Sequence, residues 1–136
     1  MITKILVSYI LTTVVFLIID LIWLGFIAKN LYSKHLGHLL SPDVNWTAAI
    51  VFYLLFIVGI SIFAIYPAIE SNSWEKALLL GALFGFFTYA TYDLTNYATL
   101  KNWPLNIVII DIIWGSFLTA SVSLSGFFIT RYIQAY

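Results

Sequence analysis

Three aspartates, Asp20, Asp93 and Asp111, lie inside long apolar segments of the sequence. Hydrocarbon is a poor solvent for a carboxylate, so an ionisable residue in such a segment is a candidate functional residue that faces other protein groups. Two carboxyl groups, one protonated and one ionised, can act as general acid and general base. We therefore predict that these three residues are catalytic and that the chemistry is proton transfer.

The composition predicts the class of protein. Hydrophobic residues make up 62% of the chain and charged residues 9%, and the mean hydropathy is +1.01. This is too little polar surface to cover a soluble globule, so we predict an integral protein of a lipid bilayer. Six basic residues balance six acidic ones, which excludes a basic surface for nucleic acid. The absence of cysteine excludes disulfides, thiolate metal sites and thiol catalysis.

Four apolar segments are long enough to cross a bilayer core of about 30 Å as helices. We predict an all-α fold, in which one domain over residues 1–136 forms a polytopic bundle of four transmembrane helices. The predicted spans are residues 5–28, 46–66, 77–100 and 103–129.

The connections between these spans carry their own predictions. Pro67 is expected to end the second helix, because proline lacks the N–H donor that a continuing helix requires. Only Lys101 and Asn102 separate the last two spans, which must therefore form an antiparallel pair. The connection over residues 29–45 places Tyr32 and several leucines on one side of a short interfacial helix. We expect this connection to lie as a lid over one end of the bundle.

The spacing of the three acids along the chain predicts that they lie at one depth. Asp20 lies about eight residues before the end of the first span, Asp93 about seven before the end of the third, and Asp111 about eight into the fourth. At 1.5 Å per residue, each is roughly 10 to 12 Å from the same ends of the helices. We therefore expect a single intramembrane carboxylate site near one leaflet.

Aromatic and amide side chains near these acids are predicted to bind the ligand. Tyr89, Tyr92 and Asn96 share a helical face with Asp93, and the tryptophans at 23 and 114 follow an aspartate by three residues. The strings IIDLIW, at 18–23, and IIDIIW, at 109–114, are nearly identical. Shared site chemistry or chance explains this match better than an inverted repeat, because both strings lie toward the same surface. The predicted ligand-binding residues are Trp23, Tyr89, Tyr92, Asn96, Trp103, Asn106 and Trp114.

Small residues at a spacing of four occur on the last two helices. They are Gly81 and Gly85 on the third, and Gly115, Thr119 and Ser123 on the fourth. Such residues let helix backbones approach closely in lipid. We expect them to mediate packing within the chain rather than dimerisation, although a homo-oligomer stays open.

The lysines and the arginine all fall at helix ends or in loops, so no positive charge is predicted within the spans. Protons, hydrogen bonds, a bound cation or an incoming ligand must then neutralise the acids. His35 and His38, in the first connection, lie on the correct side to approach them. Carboxylates with Asn96 would suit a hard divalent ion, but no tight ligand spacing predicts a metal site, and no cofactor is assigned.

Several strings resemble a known family. They are YDLTNYATLKNWP, DIIWGSFLTA, the IDLIWLG of the first span, and the pairs Leu31-Tyr32 and Leu36-Gly37 in the first connection. The chain is similar over nearly its whole length to an uncharacterised family of small bacterial predicted membrane proteins, filed as a domain of unknown function. The resemblance implies four spans and a multi-pass location in the bacterial inner membrane. It implies no activity.

Three classes of function remain at this point. An enzyme would bind and transform a lipid-like or amphipathic molecule by carboxylate acid–base chemistry. A small transporter, acting as an oligomer, would use the acids as a proton or cation site. A scaffold would use them only to hold its helices together. We favour the first class, because acids near a headgroup boundary can reach the polar end of a lipid whose tail stays in hydrocarbon.

Overall fold

The computed structural model describes residues 1–136, most of which are helical, with no strand. Four helices are long and apolar enough to cross a membrane, which confirms the predicted all-α bundle. Many of their large apolar side chains are exposed, as expected where hydrocarbon is the solvent. The helices are α1 (Ile2–Ile27), α2 (Lys29–Leu36), α3 (Trp46–Glu70), α4 (Trp74–Thr99) and α5 (Leu105–Gln134), of which α2 is the short helix predicted in the first connection.

Helix α5 is the central element of the bundle. It packs along α4 over most of its length and also contacts α1. Its side chains Leu118 and Val122 are fully buried, in a core that includes Phe16 of α1 and the isoleucines Ile57 and Ile60 of α3. The other helices are therefore positioned by their contacts with one buried helix.

The small residues of α4 and α5 meet each other within the chain, as predicted. The Thr119 hydroxyl donates to the carbonyl oxygen of Gly81 at 2.5 Å, and the Ser123 hydroxyl donates to that of Ala77 at 2.7 Å. A close backbone approach is what allows a short hydroxyl side chain on one helix to reach a carbonyl group of the next. The two helices thus form the antiparallel pair expected from their short connection.

Pro67 does not end the second transmembrane helix, so that prediction is wrong. Helix α3 continues to Glu70. A π-helical turn over Ser61–Ile65 lies just before the proline, and within it the backbone N–H of Tyr66 donates to the carbonyl of Ser61. This wider turn changes the local hydrogen-bonding pattern, and local adjustments of this kind let a membrane helix continue past a residue without an N–H donor.

The same π-helical turn separates two parts of α3 that pack differently. Before the turn, α3 approaches α1, whereas Ser61–Ile65 approaches α4 and α5. Toward the α2 end, contact between α3 and α4 is made by rings, since Phe56 meets Phe84 and Tyr89 with centroids 5.4 and 6.3 Å apart. The backbones of α3 and α4 therefore diverge at this end.

The two ends of the bundle are distinct. At one end, Met1 and Lys4 of the first helix line a cavity together with Gln134 of the last, so both chain termini lie there. At the other end, Leu36 of α2 packs on Trp103 and on the first turns of α5. Helix α2 therefore covers the start of α5.

Candidate functional site

The three aspartates come from three helices, Asp20 from α1, Asp93 from α4 and Asp111 from α5, and all are buried. Their exposed fractions are 8%, 0% and 7%. Each lies roughly 9 to 11 Å along its helix from the end that α2 covers, at 1.5 Å per residue. Sequence spacing and helix direction together set this common depth.

Asp93 and Asp111 are direct neighbours whose carboxyl groups interact. Both side-chain oxygens of Asp93 are buried and have no hydrogen-bond partner, and neither does the nearby indole nitrogen of Trp103. A buried polar group without a partner costs free energy, and the cost is larger for a group that can be charged. The polar groups next to the Asp93 carboxyl are the Asp111 carboxyl and the Trp103 indole, and no residue forms a fixed hydrogen bond with it.

Helix α2 contributes Tyr32 to the site. The Tyr32 hydroxyl donates a hydrogen bond to Oδ1 of Asp111 and accepts one from Nε1 of Trp23 at 3.0 Å. Burial, and then the neighbouring Asp111, raise the pKa of Tyr32 far above its ordinary value. The hydroxyl therefore stays protonated and acts as a donor to Asp111.

Sequence reasoning did not select Tyr32 as a site residue. It placed Tyr32 only on the apolar side of the interfacial helix. Tyr32 is the one tyrosine of α2, and it belongs to the Leu31-Tyr32 pair that carries part of the family resemblance. The presence of Tyr32 in this pair was the one signal in the sequence that could have pointed to a role for it in the site.

Asp20 has different partners from the other two acids. The Tyr53 hydroxyl donates to its Oδ2 at 3.3 Å, and the indole of Trp114 also interacts with it. The rings of Trp23 and Trp114 stack with centroids 4.2 Å apart and planes 8° apart. The two nearly identical strings of α1 and α5 thus meet at their tryptophans. Tyr53 is a second residue that sequence reasoning missed, because its aspartate partner lies on another helix.

Tyr89 of α4 lies between Asp20 and the pair formed by Asp93 and Asp111. Its hydroxyl is within electrostatic reach of Asp20, Asp93 and Asp111. The ring packs against Gly115 of α5, where any Cβ would collide with it. Because a larger residue at 115 would displace the ring, this glycine is part of what fixes the position of Tyr89.

A cavity of about 440 Å³ lies where α3 and α4 diverge. Phe52 and Tyr92, two of its lining residues, are 51% and 56% exposed, so the cavity opens on the lipid-facing surface between the helices. The lining residues are Phe52, Phe56, Thr88, Tyr89 and Tyr92. Tyr89 is therefore both a wall of this cavity and a neighbour of the acids.

Of the remaining predicted ligand-binding residues, some lie near the acids and one does not. Tyr92 meets the ring of Trp103 edge-on at 5.9 Å, and half-buried Asn96 interacts with the Tyr92 hydroxyl. Asn106 is exposed, so the structure does not bring it into the buried site.

The histidines of the first connection do not join the acids in a metal site. His35 is half-buried and His38 is exposed. No group of three or more His, Asp or Glu side chains is arranged to hold a metal ion. The observed partners of the acids are tyrosines, tryptophans and other acids.

No curated protein and no solved structure matches the chain. Residues 5–128 match the family described as "Predicted membrane protein (DUF2177)". With four helices of membrane-spanning length and this match over most of its residues, the chain belongs to that family of multi-pass membrane proteins, whose function is unknown.

Proposed function

We propose that the protein binds an amphipathic, lipid-like molecule from one leaflet and exchanges a proton with it at the aspartates. The observation that carries the proposal is the position of Tyr89, which lines the lipid-facing cavity and lies within electrostatic reach of all three carboxyl groups. A molecule in the cavity would therefore meet the site through this hydroxyl.

The cavity suits the apolar part of such a molecule. Its volume of about 440 Å³ is within the usual range for small-molecule sites, roughly 300–1,000 Å³. Four of its five lining residues carry phenylalanine or tyrosine rings, and one of these, the exposed Phe52, stands at the mouth. A hydrocarbon tail can leave through that mouth and remain in the bilayer.

The chemistry of the site indicates the polar end of the ligand. The carboxyl groups contact no lysine or arginine, since their partners are tyrosines, tryptophans and each other. Aromatic faces and carboxylates both attract cations. The ligand should therefore carry a cation or a strong hydrogen-bond donor, such as an amine.

Proton transfer follows from the pairing of Asp93 with Asp111. Two adjacent carboxyl groups share protons as a pair, so one can be protonated while the other is ionised. Tyr32 fixes Asp111 by its hydrogen bond. In the proposed step, the Tyr89 hydroxyl passes its proton to the ionised carboxylate as it takes one from the ligand's ammonium group, so that the phenol is restored.

Binding can be tested with amphiphiles that differ only in the polar end: dodecylamine, dodecyltrimethylammonium, dodecanol and dodecanoate. Native mass spectrometry and tryptophan fluorescence would report occupancy on the purified protein. We expect the two cations to bind, and Thr88→Trp, which fills the cavity, to weaken their affinity by about tenfold, or about 1.4 kcal/mol. Thr99→Trp, on the exposed end of α4, is the matched control.

The acids are tested in the same assay. Asp93→Asn and Asp111→Asn should each weaken cation binding, whereas Asp43→Asn, in the exposed first connection, should not. Equal occupancy in wild type, both acid variants and Thr88→Trp would contradict the proposal. The same preparation would show which lipids and metals are carried through purification.

The scaffold alternative makes an opposite prediction about stability. Since Asp93 is fully buried beside a second carboxyl group, replacing it with leucine should raise the melting temperature by removing a buried polar group. Asp111→Leu should lower it, because the Tyr32 hydroxyl loses its acceptor. A large loss of stability in Asp93→Leu, with amphiphile binding unchanged, would favour a structural role.

The proposal places this activity in the bacterial inner membrane, as the family resemblance implies. The surrounding partner is the lipid bilayer. Association into a homo-oligomer and the alternative role as a proton- or cation-coupled transporter remain predictions.

A further inference from the structure

A second cavity lies in the half of the bundle that carries the chain termini. It has a volume of about 150 Å³ and lies between α1, α3 and α5, beside the π-helical turn. Most of its lining residues carry a hydroxyl group: Ser8, Tyr9, Thr12, Ser61, Tyr66 and Thr130.

This cavity leads toward the end of the bundle. An adjoining cavity of about 200 Å³ shares Ser8, Tyr66 and Thr130 with it, and is also lined by Lys4 and Gln134. The two cavities therefore adjoin each other at these three residues, between the terminal turns of α1 and α5 and the inner hydroxyl groups.

The inner hydroxyl groups need partners that hydrocarbon cannot supply. The Thr12 and Ser61 hydroxyls donate to carbonyl groups of their own helices, at 2.8 and 2.9 Å, which leaves their oxygens free to accept. Ser8 and Thr130 are also buried. A polar cavity of this size has room for about five waters, at roughly 30 Å³ each.

The buried face of α1 connects this cavity to the acids. Its buried residues are Ser8, Thr12, Phe16 and Asp20, which recur every four residues on one side of the helix. The two hydroxyl residues line the cavity, and the aspartate belongs to the acid site. Only Phe16 interrupts the polar series.

Phe16 forms an apolar barrier at this point. Its exposed fraction is 1%, and its ring contacts those of Tyr53 and Phe56 with centroids 5.6 and 6.0 Å apart. Tyr53 also donates to Asp20. On α1 the barrier is this one ring, which belongs to the apolar core with Leu118 and Val122 and touches a hydrogen-bond partner of Asp20.

We infer that the hydroxyl-lined cavity holds water and forms a proton route from the end of the bundle that carries the termini to Asp20, closed at Phe16. The molecules that occupy this cavity are thus waters, which carry the proton. In the transfer, an excess proton enters the water chain as hydronium; the hydronium next to ionised Asp20 gives it this proton and becomes neutral water, so Asp20 becomes a neutral carboxylic acid. The inference rests on the proposed function only in treating Asp20 as a proton-exchanging group. Tyr53 from α3, and Tyr89 from α4, are the other titratable groups that face it.

Proton flux through liposomes that contain the purified protein tests the route. A potassium gradient with valinomycin would drive protons, and a trapped pH-sensitive dye would report them. We expect wild type to be closed and Phe16→Ala to raise the flux at least about tenfold, because removing the ring lets water pass. Phe127→Ala is the matched control, since Phe127 is fully buried in a separate cluster with Ala68 and Ala77.

The double variant Phe16→Ala with Asp20→Asn should return the flux to the wild-type level. Equal flux in Phe16→Ala and Phe127→Ala would overturn the route, and so would flux that persists in the double variant. Phe16→Leu serves as a milder variant, with an intermediate flux expected, if the alanine variant does not fold. Circular dichroism would verify folding in each case.

Water in the cavity can be tested in the wild-type protein. Radiolytic labelling modifies side chains next to ordered water, so Ile65, which lines the cavity, should be labelled. Ile60 is equally buried on the same helix, does not line the cavity and should stay unlabelled. Absence of label at Ile65 would overturn the inference. Amphiphile binding is measured separately. Failure of the proton route would therefore leave the proposed function standing, and failure of amphiphile binding would leave the proton route standing.

Discussion

At the scale of single residues, Tyr32 is the contact between the first connection and the acids. Its hydroxyl accepts a hydrogen bond from the indole N–H of Trp23 and donates one to Asp111, so it links three helices through two hydrogen bonds. Burial, and then Asp111, raise the pKa of Tyr32, so its hydroxyl keeps the proton that it donates to Asp111 at neutral pH. Helix α2 is therefore attached to the site through the Tyr32 hydroxyl.

The first prediction is that Tyr32→Phe loosens α2 without removing the ring. The loss of one hydrogen bond to an ionisable group should cost about 1.5–3 kcal/mol. Hydrogen–deuterium exchange over α2 should speed up, and the melting temperature in detergent should fall. Tyr97→Phe, at an exposed position of α4, should change neither. Unchanged protection of α2 in Tyr32→Phe would contradict the role given to this hydroxyl.

At the scale of elements, the pairing of α4 with α5 holds the acid pair in position. Asp93 and Asp111 lie on these two helices, whose backbones touch at small residues. A Cβ at Gly85 would collide with the carbonyl of Gly115 and with the side chain of Thr119. The close approach therefore depends on glycine at this position.

The second prediction compares two glycine substitutions. Gly85→Ala should destabilise the protein by about 1–3 kcal/mol, because the crowded atoms include backbone that cannot rotate away. Gly25→Ala should be neutral, or stabilising by up to about 1 kcal/mol, because nothing lies within 4 Å of a Cβ there. Unfolding in detergent would measure both. Equal free energies of unfolding for Gly85→Ala and Gly25→Ala would contradict the close contact between α4 and α5 at Gly85.

At the scale of the whole molecule, polar groups occupy two depths with an apolar layer between them. The acids lie toward the end covered by α2, and the hydroxyl-lined cavity lies toward the termini. Between them is the core that contains Phe16, Leu118 and Val122. The two ends of the protein therefore offer different chemistry to the two membrane surfaces.

The third prediction concerns this topology. The chain has no cysteine, so single cysteines report sidedness without background. Cysteines in place of Ser33 and Asn102, in α2 and in the α4–α5 turn, should react with an impermeant reagent from one side of the membrane. A cysteine in place of Asn72, between α3 and α4, should react only from the other side. Reaction of the first two from opposite sides would refute the four-span arrangement.

The sequence by itself determined the class of protein, the four spans and the common depth of the acids. These properties follow from hydropathy and helical rise, which are local and need no knowledge of neighbours. The packing of Gly81 against α5 was predictable for the same reason, because small residues at a spacing of four mark a close helix contact.

Only the tertiary structure decided which groups meet. Tyr32 reaches Asp111 across 79 positions of the chain, and Tyr53 reaches Asp20 across 33, and no local pattern specifies such pairs. Asn106 was assigned to the site by its nearness in sequence, but the rotation of α5 leaves it exposed. The cavity beside Tyr89 arises because α3 diverges from α4 before its π-helical turn. The orientation of one helix against another is set by the side chains of both, and so it is not contained in the pattern of either.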